Sequence, residues 1–188
     1  MKSYLNMKLN FFFIFFLFSF SQTFSSQAIE WSPDRKLDFN DFKGKIPTYN
    51  DSGAESKVGI SYKIVSNSIW TGKIKIKIFA VFYPEESWFD KKYISSNDLL
   101  NHEQIHFDIA NIFANKIQKI IDNQIKGTKD FNNNFQKLFN ENYNEHNDFQ
   151  FKYDLETKHG LNVEVQNKYN DIISEMMDLL SGVMKKQN

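Results

Sequence analysis

The chain has 188 residues, of which 23 are basic and 23 acidic, and it contains no cysteine. This even charge balance argues against a nucleic-acid partner, since nucleic-acid-binding domains carry an excess of basic residues. The lack of cysteine excludes disulfide bonds, and it leaves histidine and carboxylate side chains as the protein ligands available to a metal ion.

The first 28 residues predict an export signal. Lys2 and Lys8 give a positively charged start, residues 11–20 are almost entirely apolar, and the small residues around Ala28 suit cleavage after that position. The apolar run is too short to cross a bilayer comfortably as a permanent helix. An uncleaved signal that acts as a membrane anchor is the alternative.

Removal of this signal leaves residues 29–188, enough for a single domain with a substantial core. The cleaved segment carries two lysines and no acidic residue, so the mature chain has 21 basic and 23 acidic residues. An exported protein without disulfides fits the periplasm or the secreted fraction of a bacterium. We expect no stable membrane span after cleavage.

The first half of the mature chain predicts a small sheet. Residues 29–56 place turn formers between aromatic residues, as in a short strand or extended arm followed by loops. In residues 57–65 and 73–83, apolar positions alternate with small or polar ones, which is the period of a half-buried strand. A two- or three-stranded antiparallel sheet is expected, with the lysine row of the second strand facing solvent or, alternatively, steering a substrate.

A long helix follows these strands. Residues 95–98 offer several N-cap side chains, and Gly127 can end the helix near Lys126. Its apolar stripe recurs at spacings of three and four residues and includes two histidines: Leu99, His102, His106, Ile109, Phe113, Ile117 and Ile120. Both histidines are therefore expected to face inward.

These histidines belong to the pattern His102-Glu103-x-x-His106. On a helix, residues four apart point the same way, so both imidazoles can reach one metal ion. Glu103 flanks that face, where its carboxylate can accept a proton from water without acting as a ligand. Two neutral nitrogen donors, an open coordination position and a carboxylate base are the parts of a zinc hydrolase site. A solvated helix face with two histidines is the alternative.

The rest of the chain is expected to be mainly helical. Residues 131–149 predict a helix or a partly irregular connection, in which His146 is read as a surface imidazole. A second chemical cluster spans residues 153–160, where Glu156 and His159 are three apart and would share one face of a helical turn. Asn162 can then cap a last helix that packs against the first.

Four segments of the chain resemble a bacterial family of unknown function whose members are predicted to be secreted zinc-dependent proteases. They are the metal-binding helix, the downstream cluster, a candidate N-terminal signature and a pre-helix pair: Leu99 to Ala110, Tyr153-Asp154-x-Glu156-Thr157-x-His159-Gly160, Leu37-x-Phe39-x-Asp41-Phe42-x-Gly44 and Ser87-Trp88. Phe39 departs from the resemblance, since a tryptophan is expected there. The resemblance implies a zincin-like α+β fold in which a small antiparallel sheet precedes an active-site helix and C-terminal helices.

The expected cofactor is Zn²⁺, with His102 and His106 as the first two ligands. His159 is favoured as the third ligand because it would complete three neutral donors. Glu156 is its rival, since a carboxylate from a second helix completes the same motif in other zinc peptidases.

Glu103 is the expected general base, which takes a proton from the attacking water and passes it to the leaving amine. Tyr153, or the histidine that does not bind zinc, is the candidate for stabilising the oxyanion.

These assignments predict an exported zinc metallopeptidase that acts on protein or peptide substrates. An amide hydrolase acting on cell-wall peptides is possible, because the same chemistry serves any amide. A non-catalytic envelope protein is the other alternative, in which His102, His106, Glu156 and His159 together close a structural zinc site.

Overall fold

The computed structural model describes residues 27–49 and 52–185, with side chains described as far as residue 180. Apart from its last two residues, the expected export signal lies outside the described residues. Within them, two small antiparallel sheets precede or flank three long helices. The predicted α+β class is therefore confirmed, with the main sheet preceding the helices as expected.

The main sheet has three antiparallel strands in the order β1-β4-β3. These strands are β1 (Ile29–Glu30), β3 (Val58–Asn67) and β4 (Ile74–Phe82). The predicted alternation is confirmed in β4, because Ile76 and Ile78 are buried while the lysines between and before them are exposed. In β3 it does not hold beyond Ile60, since Tyr62 and Ile64 are exposed. The pairing shifts between Ile64 and Ser66, where one residue bulges out of the ladder.

A second sheet pairs β2 (Ala54–Glu55) with β5 (Trp88–Phe89). Ser87 links the chain segments beside this second sheet. It is fully buried, and its hydroxyl donates to the Tyr83 carbonyl at 2.8 Å. The same hydroxyl accepts the backbone N–H of Lys57 at 2.8 Å. These bonds hold the extended chain leading into β3 against the segment between β4 and β5.

The three helices are α1 (Asn97–Gln124), α2 (Thr128–Thr157) and α3 (Val163–Lys185). Ser96 caps α1 by accepting the N–H of Leu99 at 3.3 Å, and Asn162 accepts the N–H of Val165 at 3.4 Å. The segment expected to be a helix or an irregular connection is a continuous part of α2. No helix in the described part of the chain is long and apolar enough to cross a membrane.

Helix α1 is the centre of the molecule. Every residue from His102 to Ala110 is buried, so this stretch is covered on all sides rather than along one stripe. The N-terminal arm covers one of those sides: Trp31 Nε1 donates to Asp108 Oδ1 at 2.7 Å, and the N–H of Leu37 donates to Gln104 Oε1 at 2.8 Å. Gln104 and Asp108, which are not among the expected metal ligands, thus hold the N-terminal arm against α1.

Candidate metal centre

Helix α1 brings the two motif histidines together as their spacing predicts. The Nε2 atoms of His102 and His106 are 3.3 Å apart, with the two rings nearly perpendicular. His102 is 1% exposed and His106 is 8% exposed. Successive turns of one helix therefore present both nitrogens to the same buried point.

Helix α2 adds a carboxylate at that point. Asp154 Oδ1 lies 2.9 Å from His106 Nε2 and 3.2 Å from His102 Nε2. Ligands of one tetrahedral zinc ion, bound at about 2.0–2.2 Å, are about 3.3–3.6 Å from one another. Two of the three separations between these atoms, 3.2 and 3.3 Å, are close to that range, and the third is shorter at 2.9 Å, so small shifts would space the side chains as ligands of a single small cation.

The other ring nitrogens fix the tautomers of both histidines. His102 Nδ1 lies 2.9 Å from Gln166 Oε1, and His106 Nδ1 lies 2.6 Å from Gln150 Oε1. The orientation of the Gln150 amide is determined because its Nε2 donates to the carbonyl of His106 at 2.9 Å. Each Nδ1 is therefore the protonated donor, and each Nε2 directs a lone pair toward the carboxylate.

Three acceptor atoms that face one another require positive charge between them, either a proton or a metal ion. Burial alone would raise the pKa of the Asp154 carboxyl, but the hydrogen bonds with His102 and His106 outweigh burial and hold this pKa well below its usual range. Burial likewise opposes protonation of His106, yet its contact with Asp154 raises the pKa of this imidazole. The carboxylate is therefore ionised and available as a ligand.

His146 is buried, at 2% exposure, so the prediction of a surface imidazole is wrong. Its Nε2 accepts from Gln150 Nε2 at 3.0 Å, and its Nδ1 lies 3.2 Å from Asn147 Oδ1. Burial lowers the pKa of His146 to about 4, which keeps the ring neutral and able to accept this bond. His146, Gln150 and Asp154 recur every four residues, and this spacing could have revealed the inward face of α2.

Glu103 is 3% exposed, and its Oε2 atom has no hydrogen-bond partner among the described residues. It lines a cavity of about 350 Å³ bounded by both histidines of α1, by the extended segment 52–58, and by Asp154 and His159. Burying a carboxylate oxygen without a partner is costly. The atom is thus an acceptor directed at whatever occupies the cavity beside the ligand cluster.

His159 reaches the mouth of this cavity from a strained turn. Lys158, His159 and Gly160 have φ angles of 51°, 53° and 81°, so two residues other than glycine adopt the left-handed conformation. At Gly160 a side chain would also lie 3.1 Å from His102 Cβ. The turn leaves the His159 side chain 60% exposed, with Nδ1 3.5 Å from Asp154 Oδ1.

The ligand atoms of His102, Asp154 and His159 all lie within 4.8 Å of one another. His106 completes this cluster through its short distances to His102 and Asp154. The set offers up to three imidazoles and one carboxylate, which is a donor set that suits zinc.

Residues 85–160 match a known bacterial family. It is described as "Bacterial protein of unknown function (DUF922)". The resemblance to a bacterial family of unknown function is confirmed over this span, which covers about two fifths of the chain. No curated protein and no solved structure matches the chain.

The DUF922 span contains all four clustered residues and Glu103, but it stops before Gln166. Gln166 lies on α3, 64 positions beyond the His102 ring that it orients, and sequence reasoning missed it. Asp154 belongs to the downstream cluster, but the sequence alone indicates no role for it. Its neighbours Glu156 and His159 are the better candidates for the third ligand on a continuous helix, and the sequence does not predict the turn that ends α2.

Glu156, the expected rival for the third ligand position, is not brought to the histidines. Its carboxylate accepts the hydroxyl of Tyr169 at 2.7 Å and lies 3.8 Å from Lys152 Nζ. Two residues along an α-helix correspond to a rotation of about 200°. Since Asp154 faces α1, Glu156 must face away from it.

Tyr153, the expected oxyanion donor, is fully buried behind the site. Its ring stacks on His102 with centroids 4.8 Å apart, and its hydroxyl lies 3.0 Å from Gln166 Oε1 and 3.2 Å from the carbonyl of His102. Burial raises the pKa of this phenol. The structure thus places Tyr153 where it supports the position of His102.

Proposed function

We propose that this protein is an exported zinc-dependent peptidase. The observation that carries the proposal is the convergence of His102 Nε2, His106 Nε2 and Asp154 Oδ1, 2.9–3.3 Å apart, beside the unpartnered carboxylate oxygen of Glu103. Export rests on the N-terminal sequence alone.

The proposed ligands are His102 Nε2, His106 Nε2 and Asp154 Oδ1. The separations and tautomers described above fit a zinc ion, and three protein ligands are typical of catalytic rather than structural zinc sites. A zinc ion bound there would supply polarisation of a water molecule and of the substrate carbonyl. Gln150 and Gln166 keep each imidazole in the tautomer that binds metal.

Glu103 acts as the general base in this proposal. Its carboxylate takes a proton from the attacking water and delivers it to the nitrogen of the leaving amine as the peptide bond breaks. The low exposure of Glu103 limits competition from bulk solvent. His159, at the cavity mouth, is placed to donate a hydrogen bond to the substrate oxygen as negative charge develops on it.

The test compares zinc-loaded wild type with Glu103→Gln on a mixture of unlabelled peptides, with cleavage followed by mass spectrometry. The substitution keeps the shape of the side chain but removes the base, so we expect zinc to be retained and cleavage to fall by at least about 100-fold. Glu141→Gln, the same change on the exposed face of α2, serves as the matched control. Cleavage by Glu103→Gln at the wild-type rate would refute the proposed mechanism.

A structural zinc site is the second candidate, because the ligand atoms of His159, His102 and Asp154 lie within 4.8 Å of one another and His159 could move in as a fourth ligand. His159→Ala separates the two functions. In a peptidase, this variant retains zinc and loses turnover. In a structural site, it loses zinc and unfolds at lower denaturant concentration.

A further inference from the structure

The tip of the β3–β4 hairpin exposes two large apolar side chains. Ile69 is 87% exposed and Trp70 is 92% exposed. The turn that carries them is well formed, because the N–H of Ser68 donates to the Lys73 carbonyl at 2.9 Å and the N–H of Gly72 donates to the Ser68 carbonyl at 2.8 Å. Ile69 and Trp70 are therefore held outward by a hydrogen-bonded turn.

Basic side chains surround this apolar tip. Lys73, just before β4, and Lys75 on β4 are exposed and form no ion pair with the residues that the structure describes. Farther along the same face, Lys77 is paired with Glu30. The unpaired lysines are thus the ones nearest to the tip.

The junction between α1 and α2 brings more positive charge to the same end of the molecule. The N–H of Thr128 donates to the Gly72 carbonyl at 2.9 Å, which fixes this junction against the hairpin turn. Lys126 and Lys129 flank Thr128, and both are exposed. Asp130 is the nearby acid on α2, and its carboxylate accepts the backbone N–H of Lys126 at 2.9 Å.

The apolar area is too small for a stable protein interface. An aromatic side chain offers about 150–250 Å², so Trp70 with Ile69 supplies roughly half of the about 800 Å² that each partner contributes to a typical complex. A projecting indole ringed by lysines instead matches the interface of an anionic bilayer, where tryptophan prefers the headgroup level and lysine is attracted to negative lipid.

We infer that the hairpin tip docks the protein onto an anionic lipid surface, with Ile69 and Trp70 inserted among the headgroups. The candidate metal centre lies at the other end of α1. From His106 to the end of α1 is about 27 Å at 1.5 Å per residue. A protein bound through the tip would therefore hold its cavity away from the lipid. This inference does not depend on the proposed peptidase activity.

The experiment uses residues 29–188, the chain expected after signal cleavage, so that the apolar run of residues 11–20 does not itself bind lipid. The vesicles are phosphatidylcholine with one third phosphatidylglycerol, part of it brominated on the acyl chain to quench tryptophan emission. The chain has three tryptophans. Trp88 is 4% exposed and Trp31 is hydrogen-bonded to Asp108, so quenching reports mainly on Trp70. We expect strong quenching in wild type and its loss in Trp70→Phe.

Binding affinity is measured in parallel by vesicle sedimentation. Replacing Ile69 and Trp70 together by serine should weaken binding by about tenfold or more, and Lys73→Gln should weaken it severalfold. Phe151→Ser, which removes a side chain that is 70% exposed on α2, is the matched control and should bind as wild type does.

Three results would overturn the inference: quenching that persists in Trp70→Phe, equal binding to vesicles of pure phosphatidylcholine, or no vesicle binding. Concentration-dependent self-association that the serine replacements abolish would also overturn it, by showing that a second copy covers the tip.

Discussion

Replacement of Asp154 by asparagine tests the proposed third zinc ligand. The carboxylate oxygen lies at ligand distance from both imidazole nitrogens, 2.9 and 3.2 Å away. Changes to residues that only orient ligands cost about 10–100-fold in metal affinity, so loss of a direct ligand and its charge should cost at least about 100-fold, or about 2.8 kcal/mol. Glu156→Gln is the matched control, and we expect less than about a twofold change because its carboxylate contacts Tyr169 instead.

The assay is competition for zinc between the metal-free protein and a chromophoric chelator, with each variant first shown to unfold at the same urea concentration as wild type. Equal zinc affinities for Asp154→Asn and wild type would refute the assignment. A large loss of zinc affinity in Glu156→Gln alone would instead identify Glu156 as the third ligand. It would mean that α2 is rotated about its axis relative to the orientation described above.

Two further predictions concern the residues behind the site. Gln150→Leu removes the acceptor that fixes the His106 tautomer, so zinc affinity should fall about 10–100-fold in the same competition assay, and an unchanged affinity would contradict the orienting role. His146 has a pKa lowered from 6.5 to about 4 by burial, so its contribution to stability is fully present above pH 6.5 and is lost as the pH falls toward 4. Urea unfolding of metal-free wild type and His146→Phe should therefore differ progressively over this range, by up to about 3 kcal/mol. A constant difference would show that His146 is not buried in its neutral form.

The features that sequence predicted correctly are those set by local geometry. The i, i+4 spacing of His102 and His106 determines that they converge on any helix. Ser96 is a strong N-cap, and it begins α1 within the four residues expected. The alternation in β4 marks its buried face, whereas in β3 the expected inward positions Tyr62 and Ile64 are 40% and 48% exposed.

The proposed third ligand could not be predicted from the sequence because its position depends on tertiary structure. Asp154, Glu156 and His159 lie within six positions of one another, and the choice among them requires both the rotation of α2 against α1 and the point where α2 ends. That end is a left-handed turn at Lys158 and His159, and lysine is not a residue that favours this conformation. Glu156 and His159 would share one face only if α2 continued past Thr157.

His146 shows how composition can mislead. Its neighbours along the chain are asparagine and glutamate, which suggests a solvated surface. Burial of the ring instead follows from its register with Gln150 and Asp154 along α2. The buried side chains of α2 recur at spacings of three, four and seven residues and include several aromatic ones, so a stripe does mark the inward face on which His146 lies: Phe135, Phe139, Asn142, His146 and Tyr153.

The most direct test of the account is the crystal structure of the zinc-loaded protein. We predict three protein ligands, His102 Nε2, His106 Nε2 and Asp154 Oδ1, with a water oxygen in the remaining position within hydrogen-bond distance of Glu103 Oε2. A zinc ion that also binds His159, with no solvent ligand, would contradict the peptidase and establish a structural site.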